Sequence, residues 1–187
     1  MGCEGETADT CHFALVSYLP GRLAEFLDQL RFELKPGCVL RSHVTILPPR
    51  PIHLDIGQST HQIAEQGNVT APFTVELGPV DTFKKSNVVY LTLRRGANEL
   101  RALHGSLNAG QLRYDPVYPY HPHITLAQNL TPEQAESLAA NASERWAGYN
   151  GPREFSVEVL SFVRSCEPGV WQDLAHVDLA QPVITSR

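Results

Sequence analysis

The chain has 187 residues, 42% of them hydrophobic and 19% charged, and its formal net charge is −5 at neutral pH. This composition is typical of a globular protein with a sizeable core. The acidic balance argues against a protein that coats long nucleic acid non-specifically, and no apolar run is long enough to span a membrane.

The four cysteines form no Cys-x-x-Cys pair and no Cys/His spacing typical of a metal site. They are Cys3, Cys11, Cys38 and Cys166. We therefore predict free thiols in a reducing cytosol. The acidic, polar residues 3–10 do not resemble a signal peptide, and residues 1–11 are expected to form a flexible N-terminus. These features favour a cytoplasmic protein.

The first half of the chain alternates predicted strands and helices. They are a strand at 12–19, a helix at 22–34, a strand at 39–47, a weak helix at 55–66, and a strand at 73–83 interrupted at 78–79. The helix at 22–34 carries apolar residues three and four positions apart. Pro48 and Pro49 are expected to end the second strand. A loop at 84–87 follows the last strand.

The second half shows the same order of elements. It has a strand at 88–93, a helix capped by Asn98, a loop at 113–122, a strand at 123–127, a helix from Thr131 to about Trp146, and strands at 155–163 and 171–179 joined by a loop. The recurring order predicts an internal duplication with pseudo-repeats at about 12–87 and 88–180. We expect a single domain over 1–187 whose two lobes share a central cleft, and we expect a monomer.

Two short motifs occupy equivalent places in these repeats. They read His43-Val44-Thr45-Ile46 and His123-Ile124-Thr125-Leu126. In an extended strand alternate side chains share a face, so each motif presents one imidazole and one hydroxyl together. The apolar residues between them point to the opposite face, where a core can bury them. Two such strands facing each other would place an acid/base pair beside two hydroxyl donors.

This combination suits the cleavage of a phosphodiester. One imidazole can take a proton from the nucleophile while the other donates a proton to the leaving oxygen, because imidazole titrates near neutrality. Hydroxyl groups at Thr45 and Thr125 can donate to the non-bridging oxygens as charge develops there. Neither step requires a metal ion or another cofactor.

The paired motifs and the duplicated strand-helix order resemble the two-histidine phosphoesterase superfamily, which includes 2'-5' RNA ligase-like proteins and cyclic nucleotide phosphodiesterases. The resemblance implies a bilobal α+β fold with two antiparallel sheets flanked by helices around a central cleft. It also implies metal-independent cleavage of 2',3'-cyclic or related phosphodiesters of nucleotides or RNA ends. His43 and His123 would then be acid and base, and Thr45 and Thr125 would hold the phosphate. Ala127-Gln128 follows the second motif where members that act on RNA ends often have Arg.

Further candidates for substrate binding lie in loops that a duplicated fold could bring to the cleft. Lys84 and Lys85 offer positive charge to a phosphate, while Phe83 and Trp171 offer rings on which a base could stack. Tyr120 lies just before the second motif. Each of these residues can also be read as an ordinary surface or core-edge residue.

Two alternatives compete with the phosphodiesterase hypothesis. His121 and His123 share a strand face, so with His43 they could form a three-histidine zinc site. The same fold could also serve as a non-catalytic module that binds nucleotides or RNA. Binding alone does not need paired imidazoles, so the motifs favour the enzyme.

Overall fold

A computed structural model describes residues 11–51, 55–167 and 169–180. The predicted flexible N-terminus therefore lies almost entirely outside the described residues. The elements are β1 His12–Tyr18, α1 Gly21–Leu34, β2 His43–Pro51, α2 Ile56–Val69, β3 Phe73–Phe83, β4 Val88–Arg95, α3 Ala97–Leu107, a short 3-10 helix Gly110–Leu112, β5 Ile124–Ala127, α4 Pro132–Ala147, β6 Glu154–Val157, β7 Val159–Glu167 and β8 Val170–Asp178. None of the helices in these ranges is long and apolar enough to cross a membrane.

The strands form two four-stranded antiparallel sheets. One sheet has the order β2-β1-β7-β8 and the other has the order β5-β4-β3-β6. Helices pack against both sheets, so the predicted α+β fold with two antiparallel sheets and flanking helices is confirmed. β2, which begins at His43, is an edge strand of the first sheet and lies beside β1. β5, which follows His123, is an edge strand of the second sheet and lies beside β4. β1 and β4 are the first strands of the two halves of the chain.

Each of the two sheets contains strands from both halves of the chain. β3 belongs to the first half but pairs with β4 and β6, whereas β7 from the second half pairs with β1. Helix α1 packs against β5, and α3 packs against β2. One continuous cluster of buried apolar residues consequently spans both sheets. The proposed repeat boundaries stay a prediction.

The helices begin and end for identifiable local reasons. Leu23, Leu27, Leu30 and Leu34 form the buried stripe of α1, as the apolar spacing predicts. Helix α4 starts with a capping box, in which the Thr131 hydroxyl accepts from the Gln134 N–H and the Gln134 side chain accepts from the Thr131 N–H. These contacts fix the direction in which each helix leaves the preceding loop.

The predicted cap of α3 was wrong by two residues. Gly96, not Asn98, is the N-cap, and its φ of 88° lies in the left-handed region that glycine adopts at low cost. A Cβ at this position would lie 2.7 Å from the Thr74 carbonyl oxygen. Glycine is required here because the chain passes close to β3.

The predicted bounds of the second strand were also wrong. β2 begins at His43 rather than at residue 39, and it continues through Pro48 and Pro49 to Pro51. Proline lacks an N–H group, but an edge strand leaves one row of backbone groups unpaired and therefore tolerates it. The first motif thus stands at the start of its strand.

Two further strand predictions need correction. β3 is continuous through Gly78-Pro79, and the pairing with β4 shifts between Leu77 and Val80, which is the signature of a β-bulge. The predicted strand at 155–163 is in fact two strands that belong to different sheets and meet at Glu158. Most of the predicted loop at 164–170 belongs to strands β7 and β8.

The prediction of free cysteines was wrong for one pair. Cys11 and Cys166 form a disulfide, with their Cα atoms 4.2 Å apart. His12 pairs with Ser165 in the β1–β7 ladder, so the next residues outward lie opposite each other. Cys38 is free, and Cys3 lies outside the described residues. The cysteine argument for a reducing compartment therefore does not hold for this pair.

Candidate active site

A cleft of about 840 Å³ lies between the two motif segments. β2 and β5 are the edge strands of their sheets and contact each other, which brings the motifs together from residues eighty positions apart. All of the predicted site residues line this cleft, namely His43, Thr45, Phe83, Lys84, Lys85, Tyr120, His123, Thr125 and Trp171. Their roles in binding and catalysis stay predictions.

The two motifs have the same pattern of burial. His43 and Thr45 are half-buried, as are His123 and Thr125. The residues between and after them are almost fully buried: Val44, Ile46, Ile124 and Leu126. This alternation is what an extended segment with one face on the core and one on the cleft requires. The imidazole and hydroxyl of each motif therefore face the cleft.

The two motif histidines are held by equivalent hydrogen bonds. His43 Nδ1 lies 2.7 Å from the Arg41 carbonyl oxygen, and His123 Nδ1 lies 2.7 Å from the His121 carbonyl oxygen. A carbonyl only accepts, so each Nδ1 carries the proton. Each Nε2 is consequently the acceptor of the neutral ring, and it becomes a donor when the ring is protonated. This arrangement can supply either a base or an acid at each motif.

The surroundings lower the pKa of both rings. Burial is the main cause at His43, where nearby Arg31 and His123 add to the effect and bring the pKa to about 4. Burial also lowers the pKa of His123, with a smaller contribution from His121. Both histidines are therefore mainly neutral at pH 7 in the unliganded protein. A bound phosphate anion would favour protonation of the ring that lies closer to it.

The threonine hydroxyls are available to a ligand. Across the described ranges, neither the Thr45 nor the Thr125 hydroxyl has a hydrogen-bond partner in the protein, although both residues line the cleft. Each can therefore donate to an anion without first breaking an internal hydrogen bond.

The charge of the cleft is opposite to that of the whole chain. Its lining contains the cationic side chains Arg31, Arg41, Lys84 and Lys85, and no Asp or Glu among the described residues lines it. A one-sided cluster of charge in a partly enclosed cleft attracts and orients a ligand of opposite sign. The cleft is suited to an anionic ligand despite the net charge of −5.

Aromatic side chains form one wall beside the second motif. The Phe83 ring stacks on Tyr90 at 4.0 Å between centroids and meets the His123 ring in a T-shaped arrangement at 5.0 Å. Burial, with the neighbouring Asp81 carboxylate, raises the pKa of Tyr90 to about 12. Phe83 therefore helps to orient the His123 ring in addition to lining the cleft. Trp171 lies on the other sheet, packed near Val163.

Tyr120 makes a specific contact that sequence reasoning did not anticipate. Its hydroxyl donates to the Thr45 carbonyl oxygen at 2.7 Å, and its ring stacks on His104 at 4.0 Å. His104 in turn donates through Nδ1 to the Ile46 carbonyl at 2.8 Å. Together these residues donate to two successive carbonyls of β2. Tyr120 therefore supports the first motif in addition to lining the cleft.

Sequence reasoning missed three cleft residues near the first motif. They are Tyr18, Arg31 and Arg41. The Arg41 guanidinium lies 3.7 Å from the Tyr18 ring centroid, and the Tyr18 hydroxyl donates to Asp173 at 2.6 Å. One of the three had a signal in the sequence. Arg31 lies four residues after Leu27 and three before Leu34, so it is a charged residue on the buried stripe of α1.

The zinc alternative is not favoured by the side-chain geometry. Over the described parts of the chain, no group of three or more His, Cys, Asp or Glu side chains is arranged to hold a metal ion. The rings of His121 and His123 are 6.3 Å apart between centroids.

The model of the 2'-5' RNA ligase superfamily matches residues 19–167. With this match and the paired motifs, the chain belongs to that superfamily of two-histidine phosphoesterases. It is 22% identical over 139 residues to a Bacillus licheniformis protein with a provisional assignment as a phosphoesterase, covering 73% of this chain and 82% of the relative. A Bacillus pumilus protein with the same provisional assignment is 22% identical over 162 residues, covering 85% of this chain and 92% of the relative.

Solved structures show the same fold. The crystal structure of E. coli LigT complexed with 3'-AMP superposes with a TM-score of 0.62 at 19% identity, covering 92% of this chain and 99% of LigT. TT0787 of Thermus thermophilus superposes with a TM-score of 0.66 at 19% identity, covering 91% of this chain and 99% of that protein. These structures show the shared fold, while the family match and the two Bacillus relatives support a phosphoesterase activity.

Proposed function

We propose that this protein is a metal-independent phosphodiesterase that acts on 2',3'-cyclic, or related cyclic or 2'-5', phosphodiesters of nucleotides or RNA ends. The observation that carries the proposal is the matched pair of motif histidines. In both, Nδ1 donates a hydrogen bond to the carbonyl oxygen two residues earlier. Both rings line the same cleft, so both Nε2 atoms are free for proton transfer.

The proposed reaction uses one imidazole as base and the other as acid. The base takes a proton from water, the water oxygen attacks phosphorus, and the bond from phosphorus to one ribose oxygen breaks. The acid gives its proton to that departing oxygen, which leaves a phosphate monoester and a free hydroxyl. The products leave the two histidines with exchanged protons, and solvent restores them.

Thr45 and Thr125 are proposed to hold the phosphate. Each threonine lies two residues after its histidine and therefore on the same face of the extended segment. Both hydroxyls line the cleft and are free to donate to the non-bridging oxygens. Hydrogen bonds of this kind strengthen as negative charge develops on those oxygens. Two donors approaching from opposite strands would fix the phosphorus between the two imidazoles.

The rest of the cleft supports a nucleotide as the bound group. Lys84 and Lys85 extend the positive charge beyond the histidines, while Phe83 and Trp171 provide apolar ring surface. LigT, which shares the fold, has been crystallised with 3'-AMP, with ATP and with NADP+. These complexes are the reason for preferring nucleotides over other phosphodiesters.

The test is a substrate panel of 2',3'-cyclic nucleotides, cyclic-ended RNA and 2'-5' dinucleotides, measured with and without EDTA. We expect turnover that survives EDTA, and we expect His43→Ala and His123→Ala each to lower kcat about 10²–10⁴-fold. His61→Ala is a matched control, because His61 is an exposed residue of α2 that does not line the cleft.

Each alternative has its own outcome in this panel. Full activity in both cleft variants would disprove the catalytic role of the histidines. Binding of RNA without turnover of any substrate would favour the non-catalytic module. Activity lost in EDTA and restored by Zn²⁺ would favour the metal site.

A further inference from the structure

Arg31 is a buried cation without a counter-ion. Its side chain is 4% exposed, although it lines the cleft beside the first motif. No ion pair forms at Arg31 within the described residues, and its Nε is buried without a partner. A buried, unpaired charge costs stability and needs a reason to be kept.

The hydrogen bonds of Arg31 lead to His43. Its Nη1 donates to the Arg41 carbonyl oxygen at 3.2 Å, and this is the oxygen that accepts from His43 Nδ1. A carbonyl has two lone pairs and can accept both donors. The second guanidinium nitrogen, Nη2, points to the Cys38 sulfur at 3.7 Å. Arg31 therefore fixes the carbonyl that fixes the ring of His43.

The charge of Arg31 acts on the same ring. A guanidinium stays protonated at every working pH, so it is a permanent positive charge beside His43. A second positive charge on the imidazole is disfavoured there, and the shared carbonyl is less able to stabilise it because it already accepts from a cation. Both effects keep His43 neutral, which is the state a general base needs before reaction.

The second motif has no equivalent of this arrangement. The carbonyl that accepts from His123 Nδ1 is that of His121, and no Arg or Lys side chain in the described residues donates to it. Within the described residues, the side chain that adds to burial in lowering the pKa of His123 is the His121 imidazole rather than a guanidinium. His123 can thus carry a proton more readily than His43.

We propose that Arg31 is a positioning residue that, through the Arg41 carbonyl and its own charge, holds His43 as the general base and leaves His123 as the general acid. This inference rests on the proposed phosphodiesterase function.

Other charged and titratable groups near His43 also influence the pKa of its ring. The titratable and charged groups that face it are Arg31 and Asp28 from α1, Arg41 from the segment before β2, Tyr18 from β1 and His123 from β5. Asp28 opposes Arg31 because its carboxylate favours the protonated ring. Its Oδ1 also accepts from the Ser42 N–H at 2.5 Å.

The sign of the pH dependence follows from these contacts. Substituting Arg31→Met removes the positive charge, so the pKa of His43 rises from about 4 toward its ordinary range. The base then becomes protonated at a higher pH, so the acid limb of the kcat/KM profile shifts to higher pH. Burial is the largest cause of the lowered pKa and remains in the variant, so the rise covers only part of that shift. A rise of about one pH unit would lower kcat/KM at pH 5 about twofold and leave the basic limb in place. Arg31→Lys retains the charge and should keep most of the wild-type profile.

The experiment measures two quantities on each variant: the NMR titration midpoint of His43 and the kcat/KM profile on a 2',3'-cyclic nucleotide. Arg22→Met is the matched control, since Arg22 is an exposed residue near the start of the same helix. Asp28→Asn keeps a hydrogen-bond acceptor for Ser42 and should move the His43 midpoint downward. If Arg31→Met fails to fold, the His43 midpoint in Asp28→Asn still shows whether charges on α1 act on this ring.

The outcomes separate the parts of the proposal. An unchanged His43 midpoint in both Arg31→Met and Asp28→Asn would overturn the electrostatic role of α1, whether or not the protein is a phosphodiesterase. A midpoint that rises while the basic limb of the profile moves would make His43 the acid and overturn the assignment. The NMR titration needs no substrate, so a failure to find activity would count against the proposed function alone.

Discussion

The two motif segments have the same local geometry but different surroundings. Each presents a half-buried imidazole and hydroxyl from a sheet edge, and each histidine donates to a carbonyl two residues earlier. Around His43 lie the permanent cation Arg31 and a tyrosine ring, whereas the rings of Phe83 and Tyr90 surround His123. Repetition of a motif thus supplies two groups with the same local geometry. In the proposed mechanism, the residues around each histidine decide which of the two is the base and which is the acid.

The largest predicted difference between the motifs is their response to the leaving group. A 4-nitrophenyl leaving group departs as a stable anion and needs no proton, so a general acid becomes dispensable. We expect His123→Ala to lose about 10²–10⁴-fold in kcat on a 2',3'-cyclic nucleotide and no more than about tenfold on a 4-nitrophenyl phosphodiester. His43→Ala should lose activity on both substrates.

The comparison of the two variants provides its own control, because each is measured on the same pair of substrates. Rescue of His43→Ala, and not of His123→Ala, by the nitrophenyl leaving group would exchange the assigned roles. Equal losses on both substrates would show that neither histidine acts mainly on the leaving oxygen.

The threonines should behave alike where the histidines differ. Thr45→Val or Thr125→Val removes one donor to the phosphate while keeping a branched side chain of the same size, and we expect each to lower kcat by up to about 10²-fold. Thr→Ser at either position keeps the hydroxyl and should retain most of the activity. Steady-state kinetics on the 2',3'-cyclic nucleotide, with inorganic phosphate as a competitive inhibitor, would measure both effects. Weaker phosphate inhibition in one Val variant only would show that a single strand holds the phosphate.

The sequence was sufficient to predict the motif segments because their chemistry is local. Alternation within four residues determines which side chains share a face, and the burial of Val44 and Ile124 confirms it. The recurring order of strands and helices, together with the family resemblance, predicted two antiparallel sheets. The meeting of the motifs at one cleft followed from that order.

Features that depend on pairing between distant strands could not be predicted. The Cys11–Cys166 disulfide joins residues 155 positions apart, and only the β1–β7 register places them opposite each other. The change of sheet at Glu158 likewise leaves no mark in a run of apolar and polar residues that reads as one strand. Arg31 differs from these, because a charge within an apolar helical stripe is visible in the sequence and its partner is not.

The smallest predicted effect concerns the support of β2. The Tyr120 hydroxyl donates to the Thr45 carbonyl, whereas the Lys35 ammonium donates to the Gln128 carbonyl just after β5. Tyr120→Phe should lower the free energy of unfolding by about 1 kcal/mol, since the ring stays stacked on His104 and one neutral hydrogen bond is lost. Chemical unfolding would measure this, with Tyr118→Phe as the control, because Tyr118 is 57% exposed.

The same variant would show whether the two motifs are supported independently. Amide chemical shifts should change at His43 and Thr45 and remain the same at His123 and Thr125, because Tyr120 bonds to β2 and Lys35 continues to hold the end of β5. Equal changes at both motifs would mean that the edge strands move as one unit across the cleft. In that case the difference between the motifs would lie in the charges around them and not in how firmly each strand is held.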